Sequence, residues 1–199
     1  MGILSPWRGR VWRRGDTPAS VASVPNLISV VRILLTPVFI AVALTNPDAG
    51  LARTLGALLF AVLIATDFVD GKIARGRNLV TDFGKLIDPI ADKAITGSAF
   101  VVLSILGELP WWITAVVLLR EWGITVYRLV VSSRTVIAAD WAGKAKTMAQ
   151  AIALPLALLP LQAWLGEPGV WICVVTMTIA VALTIYSGLE FVVHAVRAR

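Results

Sequence analysis

Asp67-Phe68-Val69-Asp70-Gly71-Lys72-Ile73-Ala74-Arg75, followed after five intervening residues by Thr81-Asp82-Phe83-Gly84-Lys85-Leu86-Ile87-Asp88-Pro89-Ile90-Ala91-Asp92, joins two long apolar runs. The first run, 51–73, ends on the first pair of aspartates, and the second, 86–106, begins on the other pair. Each has about the 20 residues that cross the hydrocarbon core of a bilayer as a helix. Two such helices joined by a short polar link are antiparallel, so their adjoining ends carry four carboxylates to one side of a membrane. Asp67 and Asp70 are three apart and Asp88 and Asp92 four apart, so each pair shares a helical face.

The rest of the chain repeats this span-and-link pattern. Its 199 residues are 58% hydrophobic and only 15% charged, with a mean hydropathy of +0.83. A soluble domain carries about 45–50% apolar and about 25% charged residues, so the excess apolar surface faces lipid. Six spans are expected, at 26–44, 51–73, 86–106, 111–131, 147–165 and 170–194. Asn46-Pro47-Asp48, Gly107-Glu108-Leu109-Pro110 and Gly166-Glu167-Pro168-Gly169 break the runs as turns. The predicted fold is an all-α integral membrane protein, a bundle of six transmembrane helices over 25–199, preceded by a basic arm at 1–24. That arm interleaves Trp7 and Trp12 with Arg8, Arg10, Arg13 and Arg14, which suits a headgroup region.

The net charge of +6 sits beside the apolar runs and forms no separate basic domain, which argues against nucleic acid as a partner. Positive residues cluster in the arm, in 72–85, in 134–146 and at Arg197 and Arg199, whereas the alternate links hold Asp48, Glu108 and Glu167 with Arg53 as their cation. The positive-inside rule then puts both termini and the aspartate link in the cytoplasm, in the cell membrane. The single cysteine, Cys173, has no partner within the chain, so there is no disulfide framework. Ala41-Val42-Ala43 resembles a signal-peptidase site, but the long basic lead and near-full span length favour a retained first helix.

Four carboxylates at one membrane face repel one another, and ionisable groups at membrane depth are costly. Divalent cations relieve the repulsion, and carboxylate oxygens without His or Cys suit Mg²⁺, Mn²⁺ or Ca²⁺ rather than zinc. Gly71, Ala74 and Gly84 continue the two aspartate faces and leave room for a bulky ligand against the backbone. Arg75 offers forked donors to phosphate. Metal, arginine and cleft together point to a diphosphate ligand.

These residues match D-x2-D-G-x2-A-R-x8-G-x3-D-x3-D at every fixed position, through Asp67, Asp70, Gly71, Ala74, Arg75, Gly84, Asp88 and Asp92. The chain thereby resembles the CDP-alcohol phosphatidyltransferases. That resemblance implies that Asp67, Asp70, Asp88 and Asp92 bind a pair of metal ions, Mg²⁺ or Mn²⁺, and that Asp92 is also the general base. It implies that Gly71, Ala74, Arg75, Thr81 and Gly84 hold the CDP group of CDP-diacylglycerol, and that a homodimer is among the assemblies open to the chain.

The flanks bear on the acceptor alcohol. Pro25-Asn26-Leu27-Ile28-Ser29-Val30-Val31-Arg32 and Gly143-Lys144-Ala145-Lys146-Thr147-Met148-Ala149-Gln150 resemble segments of the family branch that uses glycerol 3-phosphate. The likeness implies donor contacts from Asn26 and Ser29, and acceptor-phosphate contacts from Arg32, Arg120, Lys144, Lys146 and Thr147. Asn26 as a helix cap and the two lysines as topology anchors stay open, as does Arg120–Glu121 as a buried ion pair. Synthases that use inositol phosphate or make cardiolipin are the alternatives within the family, and a small cation transporter outside it. A transporter needs polar groups near the bilayer midplane, whereas these aspartates gather at one face. His194 reads as interfacial, and Glu190 and Tyr186, on its face, have no assigned role.

Overall fold

The computed structural model describes residues 24–45, 50–76, 82–131 and 141–197, with the side chains of 24–25, 67–76, 82–83, 85, 128–131 and 197 outside the description. Helices α1 (Val24–Leu44), α2 (Gly50–Gly76), α3 (Asp82–Ile105), α4 (Trp111–Val131), α5 (Trp141–Leu158), α6 (Leu161–Leu165) and α7 (Glu167–Arg197) account for nearly all of them, and no strand is present among them. The 21 residues of α1 reach about 30 Å at 1.5 Å per residue, the thickness of a hydrocarbon core. By length and apolarity alone, α1 over Asn26–Leu44 and α7 over Glu167–Val196 qualify as spans, while the apolar part of α2 is Gly50–Thr66. The other long helices carry the charges discussed below. Their outward faces are nonetheless oily: Leu119 is 75% exposed and Leu51 74%, while Arg32, Glu121, Lys146 and Gln150 are buried. A polar interior beneath an apolar surface is the pattern of a protein whose solvent is lipid.

The described residues fall into two compact units, one of those up to Val38 and between Val62 and Ile95, the other of those between Phe39 and Ala61 and from Thr96 onward. In the second, α7 runs along α5 and touches α4 and α6. Phe39 and Phe60, both fully buried, stack at 5.3 Å between ring centroids, and Tyr127 meets Phe191 edge to face at 5.5 Å. A Cβ on Gly56 would sit 3.1 Å from the Ala43 backbone, so small residues set the closeness of α1 and α2 there. Between α3 and α4 the buried Ser104 and Thr114 hydroxyls share a hydrogen bond of 2.7 Å, and Thr114 also donates to the Phe100 carbonyl.

The turn expected at Gly107 is present, with the glycine at φ 76°, a left-handed conformation that side chains disfavour. The fifth span differs from expectation. It begins at Trp141, not at 147, so Lys144 and Lys146 lie inside the helix. It also stops at Leu158, because Pro160 lacks the N–H needed to continue, and α6 resumes beyond it. The turn expected at 166–169 is shorter too: Glu167-Pro168-Gly169 forms the first turn of α7, where proline loses no hydrogen bond and an acidic residue favours the helix dipole. Arg53 resolves its own oddity as a cation on an acidic side. It ion-pairs with Glu108 and donates to the last carbonyls of α5, Ala157 and Leu158, at 3.1 Å each.

Candidate active site

The backbone puts the aspartate motif in register. α2 stays helical through Gly76 and α3 starts at Asp82, so Asp67, Asp70, Gly71, Ala74 and Arg75 occupy the last turns of one helix. Gly84, Asp88 and Asp92 occupy the first turns of the next. The side chains of Asp67, Asp70, Ala74 and Arg75, the residue Thr81 and the surroundings of Gly71 fall outside the described residues. Asp88 and Asp92 are half-buried, one helical turn apart on α3, and Gly84 is buried one turn before Asp88. Pro89 lies between the two aspartates within the helix, and a proline there frees the carbonyl four residues back.

α1 meets this face with a polar stripe. Asn26, Ser29 and Arg32 recur every three residues and are all buried, with Arg32 only 1% exposed. The Ser29 hydroxyl donates to Asp88 Oδ1 at 2.5 Å, and Arg32 attracts the Asp88 carboxylate electrostatically. Ser29, expected against the nucleotide, therefore orients an aspartate, and Arg32, expected on the acceptor, lies beside the same carboxylate. On α3 itself, Lys93 Nζ is 2.5 Å from Asp92 Oδ2, a neighbour that the motif does not reveal.

A second polar cluster forms within the other unit. Glu121 Oε1 accepts from Lys146 Nζ at 2.5 Å and from Arg120 NH1 at 2.8 Å, and Arg120 NH2 donates to Ser187 Oγ at 2.8 Å. Arg120–Glu121 is thus a buried ion pair, with Lys146 as its third member. Lys144 and Thr147 stand apart from it: both are exposed, and the Thr147 hydroxyl donates to the Gly143 carbonyl of its own helix. Residues 144 and 146 are two apart on a helix and so point to different faces. The expected single grip of Lys144, Lys146 and Thr147 is divided accordingly. Of the residues that complete the cluster, Gln150 closes the Gly143–Gln150 segment already singled out, whereas Ser187 and Thr184 read in the sequence only as isolated polar residues in an apolar run.

A family model described as CDP-alcohol phosphatidyltransferase matches residues 22–186. The chain belongs to the CDP-alcohol phosphatidyltransferase family. A relative from Mycobacterium tuberculosis, a probable phosphatidylglycerophosphate synthase, is 42% identical over 180 residues, 90% of this chain and 84% of that protein. The CDP-diacylglycerol–glycerol-3-phosphate 3-phosphatidyltransferase of Bacillus subtilis is 40% identical over 148 residues, 69% of this chain and 77% of its own. The Salmonella typhimurium protein of that name is 33% identical over 179 residues, covering 85% and 92%.

CDP-alcohol phosphatidyltransferases are membrane enzymes that generally depend on divalent cations, and the described donors fit that chemistry. Asp88 and Asp92 offer carboxylate oxygens from adjacent turns, one of them held in place by Ser29, and hard oxygen donors suit such ions. Among the described residues no three His, Cys, Asp or Glu side chains gather, and the side chains of Asp67 and Asp70 lie outside them. A hydroxyl that orients a metal-binding carboxylate is worth about 10- to 100-fold in metal affinity. Ser29→Ala is therefore expected to shift the Mg²⁺ or Mn²⁺ titration of activity upward by that factor. An unchanged half-saturating concentration would assign Ser29 to the nucleotide instead.

Proposed function

We propose that this phosphatidyltransferase moves the phosphatidyl group of CDP-diacylglycerol to glycerol 3-phosphate, forming phosphatidylglycerophosphate and CMP. The observation that carries the acceptor is that relatives 33–42% identical, aligned over most of the chain, bear the names of glycerol 3-phosphate enzymes. Asp67, Asp70, Asp88 and Asp92 hold two divalent cations, Mg²⁺ or Mn²⁺, and Gly71, Ala74, Arg75, Thr81, Gly84 and Asn26 contact the CDP moiety. The cations, when bound, neutralise the diphosphate oxygens and the charge on departing CMP.

The chain's own residues do the rest. Asp92 accepts the proton of the acceptor's hydroxyl as its oxygen bonds to the phosphorus that carries diacylglycerol. The bond from that phosphorus to the bridging oxygen breaks, and CMP leaves with that oxygen. Ser29 keeps Asp88 oriented, and Arg32 balances its charge. Arg120 and Lys146, which meet at Glu121, bind the acceptor's phosphate, and Lys144 and Thr147 lie on another face of α5. The protein crosses the inner membrane several times, with both termini and the site in the cytoplasm, where glycerol 3-phosphate dissolves; a homodimer is compatible with this layout.

Lys146→Ala removes a charged donor, a loss of about 1.5–3 kcal/mol, or on the order of 10- to 100-fold. It is expected to raise KM for glycerol 3-phosphate and to leave that for CDP-diacylglycerol nearly unchanged, whereas Lys144→Ala, on another face of α5, is expected to move neither. Normal acceptor KM in Lys146→Ala would make that lysine a topology anchor only. The acceptor itself is tested by CMP release from CDP-diacylglycerol with glycerol 3-phosphate, inositol phosphate or phosphatidylglycerol added in turn. Release that requires glycerol 3-phosphate supports the assignment, and release with either of the others alone moves the chain to another branch.

A further inference from the structure

We propose that Glu121 is the positioning residue of the acceptor-phosphate site: its carboxylate, with Ser187 and Gly188 of α7 as the seat, holds Arg120 and Lys146 side by side. The inference rests on the reading that these two cations meet the acceptor's phosphate, and it adds the residues that organise them.

Three helices converge here. Arg120 and Glu121 are consecutive on α4, Lys146 comes from α5, and Ser187 and Gly188 from α7. Lys146 is 4% exposed and Glu121 5%. One oxygen, Glu121 Oε1, accepts from both Lys146 Nζ at 2.5 Å and Arg120 NH1 at 2.8 Å. Two like charges in a poorly solvated interior repel strongly unless a carboxylate lies between them, so Glu121 is what lets the cationic groups sit together. α7 fixes the arginine from the other side. Ser187 Oγ accepts from Arg120 NH2 at 2.8 Å and donates to the Thr184 carbonyl at 3.2 Å. A Cβ on Gly188 would lie 3.0 Å from Arg120 Cγ, so the glycine admits the arginine stem against the α7 backbone. Gln150, one turn after Lys146, donates to Thr184 Oγ1 at 2.9 Å and ties α5 to the same seat.

Stability alone is a weak reason for this arrangement. The desolvation of buried ion pairs largely offsets their attraction, and apolar residues of similar size often serve as well. Holding two phosphate donors in fixed geometry before the acceptor arrives does account for it, because ordering them at the moment of binding lowers affinity.

The test uses the full-length enzyme and compares Glu121→Gln, Glu121→Asp and Ser187→Ala by KM for each substrate, kcat and thermal stability. Glutamine keeps the shape and an accepting oxygen but not the charge. Glu121→Gln is expected to raise KM for glycerol 3-phosphate about 10- to 100-fold and that for CDP-diacylglycerol less than about twofold. Glu121→Asp restores the charge one methylene short and is expected to recover part of the loss. An unchanged acceptor KM in folded Glu121→Gln overturns the proposal, as does an equal rise in both KM values that Glu121→Asp does not relieve. If Glu121→Gln does not accumulate as folded enzyme, Ser187→Ala decides: a rise of several-fold confined to acceptor KM supports the proposal, and no rise overturns it. Should the wild-type enzyme use a different phosphate-bearing acceptor, the glycerol 3-phosphate assignment fails, and Glu121 is judged by the same variants on the KM of that acceptor.

Discussion

Asp92→Asn is expected to lower CMP release by roughly 10²–10⁴-fold, the range for a lost general base, while CDP-diacylglycerol still binds. Asparagine keeps an oxygen and the side-chain shape but has no basic site for the acceptor's proton. Asp92 lies on the aspartate face of α3, one turn beyond Asp88, and its Oδ2 pairs with Lys93 at 2.5 Å. In the proposed metal site three aspartates would still hold the cations, so donor affinity is expected to fall only modestly. The check is CDP-diacylglycerol binding and CMP release across a Mg²⁺ titration. Recovery of wild-type turnover at high Mg²⁺ would reduce Asp92 to a ligand and remove the base from the mechanism.

Asp88→Ala should be more damaging still. It deletes the carboxylate that Ser29 orients and that attracts the buried Arg32. Losing a partner that only orients a metal ligand costs up to about 100-fold, so losing the ligand should exceed that and leave turnover at background. Excess Mg²⁺ or Mn²⁺ should not restore it. The comparison with Ser29→Ala is diagnostic: the serine variant recovers at high cation concentration and the aspartate variant does not. Near wild-type turnover of Asp88→Ala would contradict the metal assignment.

The long helices were legible because their apolar runs match a bilayer's thickness, and the aspartate register was legible because spacing in sequence becomes a face once the backbone is helical. The six expected runs correspond to α1, α2, α3, α4, α5 with α6, and α7. Where the reading slipped, charge was the cause. The expected fifth span, 147–165, leaves Lys144 and Lys146 just before its start. The structure instead buries Lys146 against Glu121, 25 residues earlier in the chain, and no local pattern reports a partner that distant. The Ser29–Asp88 bond, 59 residues apart, was hidden for the same reason. Arg53 looked like an exception to the charge rule until its partners Glu108, Ala157 and Leu158 explained it. Among the described residues, length and hydropathy single out α1 and α7, since the charges of α3, α4 and α5 dilute their apolar signal.

Labelled glycerol 3-phosphate, supplied with CDP-diacylglycerol to the purified enzyme in lipid, measures the transfer itself. With Mg²⁺ or Mn²⁺ present, the label should pass into organic-extractable phosphatidylglycerophosphate in step with CMP release, and a chelator should stop both. Label that stays in the aqueous phase while CMP is still released, or transfer that persists after chelation, would contradict metal-dependent transfer to glycerol 3-phosphate.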